Sequence, residues 1–428
     1  MRLICGPSQL RGAVDIPASK SHTIRAVTVA ALADGPSRIT CPLDSADTLA
    51  AVDAYRALGA EIETEPNLWQ VRGTGGELTA PDRDIDVRNS GTTLRIALGS
   101  AALLQQGSAV FTGDEQIQRR PLGPLLKSLN DLGASVTSVR GNDCAPVTVA
   151  GRLRGGQTSI EAVTSQFLSS LLFACPLADG DTVIDVPLLN EAPYVHITLD
   201  WLRRSGIELE RDELRTFRIP SGQKYRASDR RVPGDFSSAT FFLGAGAIGS
   251  NDIMLRGLDM TDPQGDKAVI DYLKQMGAQV DVSDEHIHVR SPRDGLAGCA
   301  LDLNATPDAL PMMAVVGCFA RGVTTLGNVP QARVKESDRI AVMADELTKM
   351  GASVRQLPDG LVIEPSDLHA ADVDGHGDHR VVMALAVAGC AVEGRTRVST
   401  AESVAVTFPT FVECMTALGA DIQSDPDA

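Results

Sequence analysis

Six times along this chain, a helix-like run ends in the same three-residue pattern, at intervals of roughly 70 residues. The pattern is a hydrophobic residue, a glycine and a small or apolar residue, and a strand-like stretch follows it. Glycine fits directly after a helix because it adopts the left-handed turn without steric cost. Six evenly spaced copies predict a fold of six repeats. The copies, of which the third is the weakest, are Leu58-Gly59-Ala60, Leu132-Gly133-Ala134, Ser205-Gly206-Ile207, Met276-Gly277-Ala278, Met350-Gly351-Ala352 and Leu418-Gly419-Ala420.

Each repeat also contains a helix that opens on polar residues and continues as an almost wholly apolar run, such as FLSSLLFACPLA or VVMALAVAGCAV. A helix that is apolar all round lies inside a protein or a membrane. These runs are shorter than the ~20 residues that a bilayer requires, so we expect buried helices and no membrane span. The six openings are Ser19-Lys20-Ser21-His22, Asn89-Ser90-Gly91-Thr92-Thr93, Thr164-Ser165-Gln166, Asp235-Phe236-Ser237-Ser238, Ala305-Thr306-Pro307-Asp308 and Gly377-Asp378-His379-Arg380.

The polar openings have two interpretations. Ser, Thr, Asn and Asp are favoured helix N-caps, so capping alone explains any one of them. As a set, buried helix N-termini present unpaired N–H groups and positive dipole ends, which together form a site for anions. The set therefore predicts anionic ligands.

Composition restricts the class of function. The formal net charge of −16 argues against a nucleic-acid partner, because phosphate backbones are bound by clustered Lys and Arg. The eight cysteines form no C-x-x-C motif and no metal-like spacing, which is typical of a reducing compartment. The N-terminal stretch MRLICGPSQLRG has no long apolar region. We therefore expect a cytoplasmic enzyme.

The repeats also predict the domain plan. We expect three repeats in one domain, residues 19–230, and three in a second domain, residues 1–18 and 231–428. The sixth repeat ends near Ala420 without room for its closing strands, so the N-terminal segment is expected to complete it. A ligand is expected between two such domains, and their closure would exclude water from the bound charges.

Eight segments carry a resemblance to a known family. In order and spacing they resemble the signature segments of 5-enolpyruvylshikimate-3-phosphate synthases over essentially the whole chain. The loop GDEQIQRRP contains no cysteine, which counts against the related enzymes that act on UDP-N-acetylglucosamine with a loop cysteine as general acid. The segments are PASKSHTIR, RNSGTTLR, QRRPLGPLL, VTSQFLSSLL, GDFSSATFF, PDALPMMAV, RVKESDRI and GDHRVVMALAVAG.

The resemblance implies an α/β enolpyruvyl transferase fold, with six βαβαββ repeats, three per domain. It implies transfer of the enolpyruvyl group of phosphoenolpyruvate to the 5-hydroxyl of shikimate 3-phosphate, a step of the shikimate pathway that releases phosphate. It implies neither a metal nor an organic cofactor, and the enzyme is expected to be a monomer.

The resemblance also implies roles for particular residues. Two polyanionic substrates require fixed cations, and Arg grips carboxylate and phosphate groups bidentately. The addition and elimination steps require a base for the hydroxyl and an acid for the methylene, with Lys20 at the bridging oxygen. The implied catalytic residues are Asp308 as the base, Glu336 as the acid, and Lys20. The implied phosphoenolpyruvate-binding residues are Lys20, Gly91, Arg120, Gln166, Arg339 and Arg380. The implied acceptor-binding residues are Lys20, Ser21, Arg25, Thr164, Ser165, Gln166, Asp308 and Lys335.

Structural roles are the alternative for these residues taken singly. Arg25 could be a salt-bridged helix residue, and Asp308 could be a capping-turn residue after Pro307. The charges from Lys335 to Arg339 could be an ordinary helix start. Their occurrence together across six repeats favours function.

Three positions depart from the family pattern. The family usually has a serine at Glu191, a lysine at Val406 and a proline at Ile96. A carboxylate near a phosphate should weaken binding, unless Glu191 turns away or a cation compensates. The alternative is therefore a divergent paralogue that acts on another hydroxyl acceptor, or on shikimate 3-phosphate without enolpyruvyl transfer. A third interpretation is an inactive homologue that serves as a binding scaffold.

Overall fold

The structure, a computed structural model, describes residues 1–426. These residues contain short strands and helices in regular alternation. The strands are β1 Arg2–Gly6, β2 Arg11–Asp15, β3 Asp34–Thr40, β4 Glu61–Glu65, β5 Leu68–Thr74, β6 Ile85–Asp86, β7 Ser108–Thr112, β8 Ser135–Ser138, β9 Val147–Ala150, β10 Gly156–Ala162, β11 Thr182–Leu189, β12 Glu210–Asp212, β13 Thr216–Ile219, β14 Asp229–Arg231, β15 Asp252–Arg256, β16 Gln279–Val282, β17 His286–Arg290, β18 Ala300–Asp302, β19 Thr324–Gly327, β20 Ser353–Leu357, β21 Gly360–Glu364, β22 Asp372–Asp374, β23 Thr396–Ser399 and β24 Asp421–Asp425. The helices are α1 Lys20–Leu32, α2 Ala46–Ala57, α3 Gly91–Ala101, α4 Gly123–Asp131, α5 Ser165–Ala174, α6 Ala192–Arg204, α7 Phe236–Ala247, α8 Val269–Gln275, α9 Leu310–Cys318, α10 Arg339–Lys349, α11 His379–Cys390 and α12 Phe411–Ala417.

The strands form six four-stranded sheets of one design. In the fifth repeat, β18, α9, β19, α10, β20 and β21 follow one another, and the sheet order is β18-β19-β21-β20. The first two strands of this sheet are parallel, and the other two pairs are antiparallel. The order of elements is therefore βαβαββ, as predicted.

Three strands are supplied to repeats from elsewhere in the chain. Strand β14 pairs in parallel with β3 in the sheet of the first repeat, and β2 pairs in parallel with β15 in the sheet of the fourth. Strand β1 lies between β23 and β24 in the sheet of the sixth. The N-terminal segment thus serves two repeats. The prediction that it completes the sixth repeat is correct for β1 and wrong for β2, and β24 shows that the sixth repeat also contains a closing strand of its own.

The glycine of each repeated pattern has the predicted backbone. Its φ is positive in all six copies, between +79° in the third and +104° in the first. In each case the glycine lies just after a helix, at α2, α4, α6, α8, α10 and α12. A side chain would strain the backbone there, and this explains the repeated pattern.

The chain forms two compact units. One unit is Ala18–Val232, and its hydrophobic core contains α1, α3 and α5. The other contains Met1–Pro17 and the chain from Pro233 onward, and its core contains α7, α9 and α11. Every residue of α3, α7, α9 and α11 is buried, as the apolar runs predicted. The two-domain α/β fold is thus confirmed, while the exact predicted limits of the domains stay a prediction.

Candidate active site

In the unit Ala18–Val232, most of the predicted site residues lie at the N-termini of the helices α1, α3 and α5, while Arg25 lies further along α1 and Arg120 directly follows the 3-10 turn Ile117–Arg119. Ser19 and Ser90 cap α1 and α3 by accepting hydrogen bonds from backbone N–H groups at 3.4 Å. Lys20, Gly91 and Ser165 are the first residues of α1, α3 and α5. The capping interpretation is therefore correct for α1 and α3, and it does not exclude a site, because an anion can also bind the remaining N–H groups.

Lys20 is held by an acid that the sequence did not single out. Its Nζ lies 3.4 Å from Oδ2 of Asp47, which is buried in the first turn of α2. Asp47 was indistinguishable in the sequence from an ordinary acidic residue near a helix N-terminus. The contact orients the ammonium group of Lys20, and both side chains are largely buried.

Two guanidinium groups converge on Gly91. A Cβ atom at this position would lie 2.7 Å from Nη1 of Arg120 and 2.7 Å from Nη1 of Arg95. Arg120 donates from Nη2 to Oδ1 of Asn89 at 3.1 Å. A side chain at this position would have to displace both guanidinium groups from where they lie at the N-terminus of α3.

Gln166 links α5 to α3. Its Oε1 accepts a hydrogen bond from Nη1 of Arg95 at 2.6 Å, and its Nε2 donates to Oγ1 of Thr92 at 3.1 Å. The guanidinium of Arg95 also lies 5.6 Å from the centre of the Phe167 ring. Sequence reasoning left Arg95 out of the site, although its place one turn into α3 was a usable signal.

Arg25 is fully buried and is hydrogen-bonded to the protein. Nε donates to Oγ1 of Thr198 at 2.9 Å, Nη1 to the carbonyl of Ser21 at 3.0 Å, and Nη2 to the carbonyl of Tyr194 at 3.2 Å. Burial lowers the pKa of Arg25 to about 10, against the opposing effects of Tyr194 and Glu191. The guanidinium therefore joins α1 to α6 and places a positive charge beside Glu191.

In the other unit, Arg339 is surrounded by three carboxylates. Nε donates to Oδ2 of Asp378 at 2.8 Å, Nη1 to Oδ1 of Asp308 at 2.7 Å, and Nη2 to Oε2 of Glu336 at 2.6 Å. Burial lowers the pKa of Arg339, but the carboxylates, led by Asp378, raise it well above its ordinary value. The guanidinium is therefore a fixed cation.

Asp308 bridges Arg339 and Arg380. Its second oxygen, Oδ2, lies 3.0 Å from Nη2 of Arg380 at the start of α11. Asp308 lies in a 3-10 turn, Pro307–Ala309, that leads into α9. The structure therefore brings together Asp308, Glu336, Arg339 and Arg380, four of the residues that the resemblance implied.

Asp378 is the acid that sequence reasoning missed in this cluster. It caps α11 by accepting a hydrogen bond from the backbone N–H of Arg380 at 3.0 Å. It also accepts one from the hydroxyl of Ser337 at 3.0 Å. Burial raises the pKa of Asp378, but the charge and the hydrogen bond of Arg339, with the charge of His379, contribute to a larger lowering, so the net shift is downward. The GDHR segment contained this residue, but its capping position concealed the contact with Arg339.

The structure also describes Lys335 and three residues that the sequence singled out without a predicted role in the site. Lys335 directly follows the 3-10 turn Pro330–Val334 and is partly exposed. His379 is buried, and burial followed by the charge of Arg380 lowers its pKa to about 3, so it is neutral at physiological pH. Val406 is half-buried at the end of a 3-10 turn, and Ile96 is buried within the uninterrupted helix α3.

Comparison with known proteins decides the family. The sequence matches the family model of EPSP synthase (3-phosphoshikimate 1-carboxyvinyltransferase) over residues 4–415. The chain belongs to the EPSP synthase family. The resemblance of the eight segments is thereby confirmed.

Known proteins resemble this chain over nearly its full length. A 3-phosphoshikimate 1-carboxyvinyltransferase of Acetivibrio thermocellus is 53% identical over 97% of this chain and 98% of its own. A protein of the same name from Methanothrix thermoacetophila is 47% identical over the same shares. The solved EPSP synthase of Acinetobacter baumannii has a TM-score of 0.82 at 28% identity and covers 99% of this chain and 100% of its own. The enolpyruvyl transferase NikO of Streptomyces tendae, at 21% identity and a TM-score of 0.79 over 99% of this chain and 98% of its own, shows the fold alone.

Residues 1–426 contain no helix of the length and apolarity that crossing a bilayer requires. They also contain no group of three or more His, Cys, Asp or Glu side chains arranged to hold a metal ion.

Proposed function

We propose that this member of the EPSP synthase family transfers the enolpyruvyl group of phosphoenolpyruvate to the 5-hydroxyl of shikimate 3-phosphate. The observation that carries the proposal is the cluster around Arg339. Two cations suited to an anionic donor, Arg339 and Arg380, are in direct contact with two carboxylates suited to proton transfer, Asp308 and Glu336. Such fixed charges stabilise a transition state without reorganising.

The reaction proceeds by addition and then elimination. Asp308 accepts the proton of the acceptor hydroxyl while the hydroxyl oxygen bonds to the enol carbon, and Glu336 delivers a proton to the methylene carbon. In the second step the bond from the former enol carbon to the phosphate oxygen breaks, phosphate leaves with the proton that Asp308 had taken, and Glu336 removes a proton from the new methyl group.

The cations hold the negative groups of the two substrates. Arg339, Arg380, Arg120 and Lys20 bind phosphoenolpyruvate, with Gly91 and Gln166 at the same site. Ser21, Arg25, Thr164, Ser165, Gln166 and Lys335 bind the acceptor together with Lys20 and Asp308. Asp47, Asn89 and Asp378 keep Lys20, Arg120 and Arg339 in position through the contacts described above.

Incubation with phosphoenolpyruvate and shikimate 3-phosphate tests the proposal directly. We expect phosphate release together with a product whose mass exceeds that of shikimate 3-phosphate by one enolpyruvyl group. Phosphate release without this product, or no reaction, would overturn the proposal.

The paralogue with another acceptor has no observation in its favour. Domain closure, a monomeric state and a cytoplasmic location stay predictions.

Replacing Gly91 by alanine is expected to raise the KM for phosphoenolpyruvate by about tenfold, the loss of roughly one charge-assisted contact. The added Cβ would lie 2.7 Å from the guanidinium groups of Arg120 and Arg95, so both must move. The helix itself should tolerate alanine, because alanine favours helices over glycine by about 1 kcal/mol. Steady-state kinetics with each substrate varied in turn measures the effect. An unchanged KM for phosphoenolpyruvate would contradict this prediction and show that both guanidinium groups shift without loss of donor binding.

A further inference from the structure

Glu191 occupies an unusual place between β11 and α6. Its backbone is left-handed, with φ 58° and ψ 40°, a conformation that favours glycine or asparagine. Its side chain is turned inward and is 2% exposed. A long acid in a strained and buried position calls for a functional explanation.

One oxygen of the Glu191 carboxylate receives three hydrogen bonds at the N-terminus of α5. Oε2 accepts from Oγ1 of Thr164 at 3.1 Å, from the backbone N–H of Ser165 at 3.2 Å and from Oγ of Ser165 at 2.8 Å. The N–H of Ser165 is one of the helix donors without an intrahelical partner. Converging hydroxyl and N–H donors at a helix N-terminus are the arrangement that binds phosphate in many proteins.

The donors that bind Glu191 are the ones that the proposed function assigns to the acceptor. Thr164 and Ser165 cannot donate the same hydrogens both to the carboxylate and to an acceptor phosphate. If the carboxylate stayed in place, two negative groups would also share a poorly solvated site, which is costly. The guanidinium of Arg25 interacts electrostatically with Glu191, while its N–H groups donate to Thr198, Ser21 and Tyr194.

We propose that Glu191 is an internal competitor for the phosphate group of the acceptor, and that it sets the affinity and selectivity of this site. In the free enzyme its carboxylate holds the Thr164 and Ser165 donors. A phosphorylated acceptor binds only when the carboxylate releases them. This inference rests on the proposed function, because that function supplies the phosphorylated acceptor.

The test compares Glu191→Gln and Glu191→Ser with the wild type by calorimetric titration. Both variants remove the negative charge, and Gln keeps the length of the side chain. We expect the Kd for shikimate 3-phosphate to fall about tenfold, the scale of one charge-assisted hydrogen bond. The Kd for shikimate, which lacks the phosphate, should change less than twofold. Glu161→Gln is the matched control: this acid is exposed on β10, and its removal changes the net charge equally.

Unchanged or weaker binding of shikimate 3-phosphate in both variants would overturn the inference and leave Glu191 a structural link or an acceptor ligand. If the Ser variant does not fold, Glu191→Asn replaces it, because asparagine tolerates the left-handed backbone.

Binding of inorganic phosphate, followed as thermal stabilisation, provides a second measurement that does not depend on the substrate. Tighter phosphate binding by Glu191→Gln than by the wild type would support the inference even if the wild type failed to convert shikimate 3-phosphate. Conversely, normal turnover by the wild type with no gain in any Glu191 variant would uphold the proposed function and overturn the inference.

Discussion

Replacing Asp308 by asparagine is expected to lower kcat by about a hundredfold or more, the usual scale for the loss of a general base. Asparagine keeps an acceptor oxygen toward Arg339, but its amide cannot take the hydroxyl proton. The amide N–H groups would also face Nη2 of Arg380, which now lies 3.0 Å from a carboxylate oxygen. Phosphate release under saturating substrates measures the effect.

Asp302→Asn is the control for this variant. Asp302 is exposed at the end of β18, where its oxygens accept from the N–H of Asn304 and the amide of Asn328, each at 2.9 Å. Its replacement should leave turnover within about twofold, because both of these hydrogen bonds are exposed to solvent. Near-normal turnover in Asp308→Asn, with an intact fold by circular dichroism, would exclude Asp308 as the base.

Replacing Arg339 by methionine is expected to cost about 3–5 kcal/mol of the free energy of unfolding at neutral pH, the usual cost of removing one partner of a buried ion pair. Methionine roughly keeps the volume of the side chain. The carboxylates of Asp378, Asp308 and Glu336 would then lie close together without the cation that compensates their charges. Urea denaturation followed by circular dichroism measures the change. Arg397→Met is the matched control, because Arg397 forms an exposed pair with Asp372 at 3.2 Å and should contribute less than about 1 kcal/mol.

The cost of Arg339→Met should also depend on pH. In the wild type burial raises the pKa of Asp378, but the lowering effects, to which Arg339 contributes both its charge and a hydrogen bond, together bring it below the ordinary value of 3.8. The lowered pKa of Asp378 therefore contributes to the free energy of unfolding. This contribution is fully present above pH 3.8 and is lost as the pH falls through the pKa of the folded state. Without the guanidinium the lowering by Arg339 is lost, while burial still raises the pKa of Asp378, so the variant lacks this contribution to stability. The difference between the two proteins should therefore be larger at pH 7 than at a pH well below 3.8, and an equal difference would exclude this role of Asp378.

Local rules were sufficient for much of the fold. The repeated glycines end helices because they alone take a positive φ without strain, and the apolar runs are buried because they have no polar face. Pairing between distant strands was harder to predict. Nothing in the sequence of β2 distinguishes the sheet of the fourth repeat from that of the sixth, since both offer an open strand edge.

The candidate site was predicted unevenly for a similar reason. Arg339 and Arg380 belong to specific segments, so the resemblance identified them, and the structure brings them together through Asp308. The contact of Glu191 with Ser165 spans 26 positions and depends on a left-handed backbone and one side-chain rotamer. Sequence reasoning recognised the departure at Glu191, but the direction in which the carboxylate turns could not be predicted from it.

The position of β1 between β23 and β24 has a consequence for the synthesis of this protein on the ribosome. Residues 18–232 are contiguous, so that unit can fold once β14 has emerged. Strand β1 can pair with β24 only after β24 has been synthesised. In this pair Arg2 lies opposite Asp425. At 5–20 residues per second the delay is roughly 20–80 s, during which the strand lacks its partners. The first strand made is thus among the last to be paired, and chaperones that shield exposed strands should act on this segment of the nascent chain.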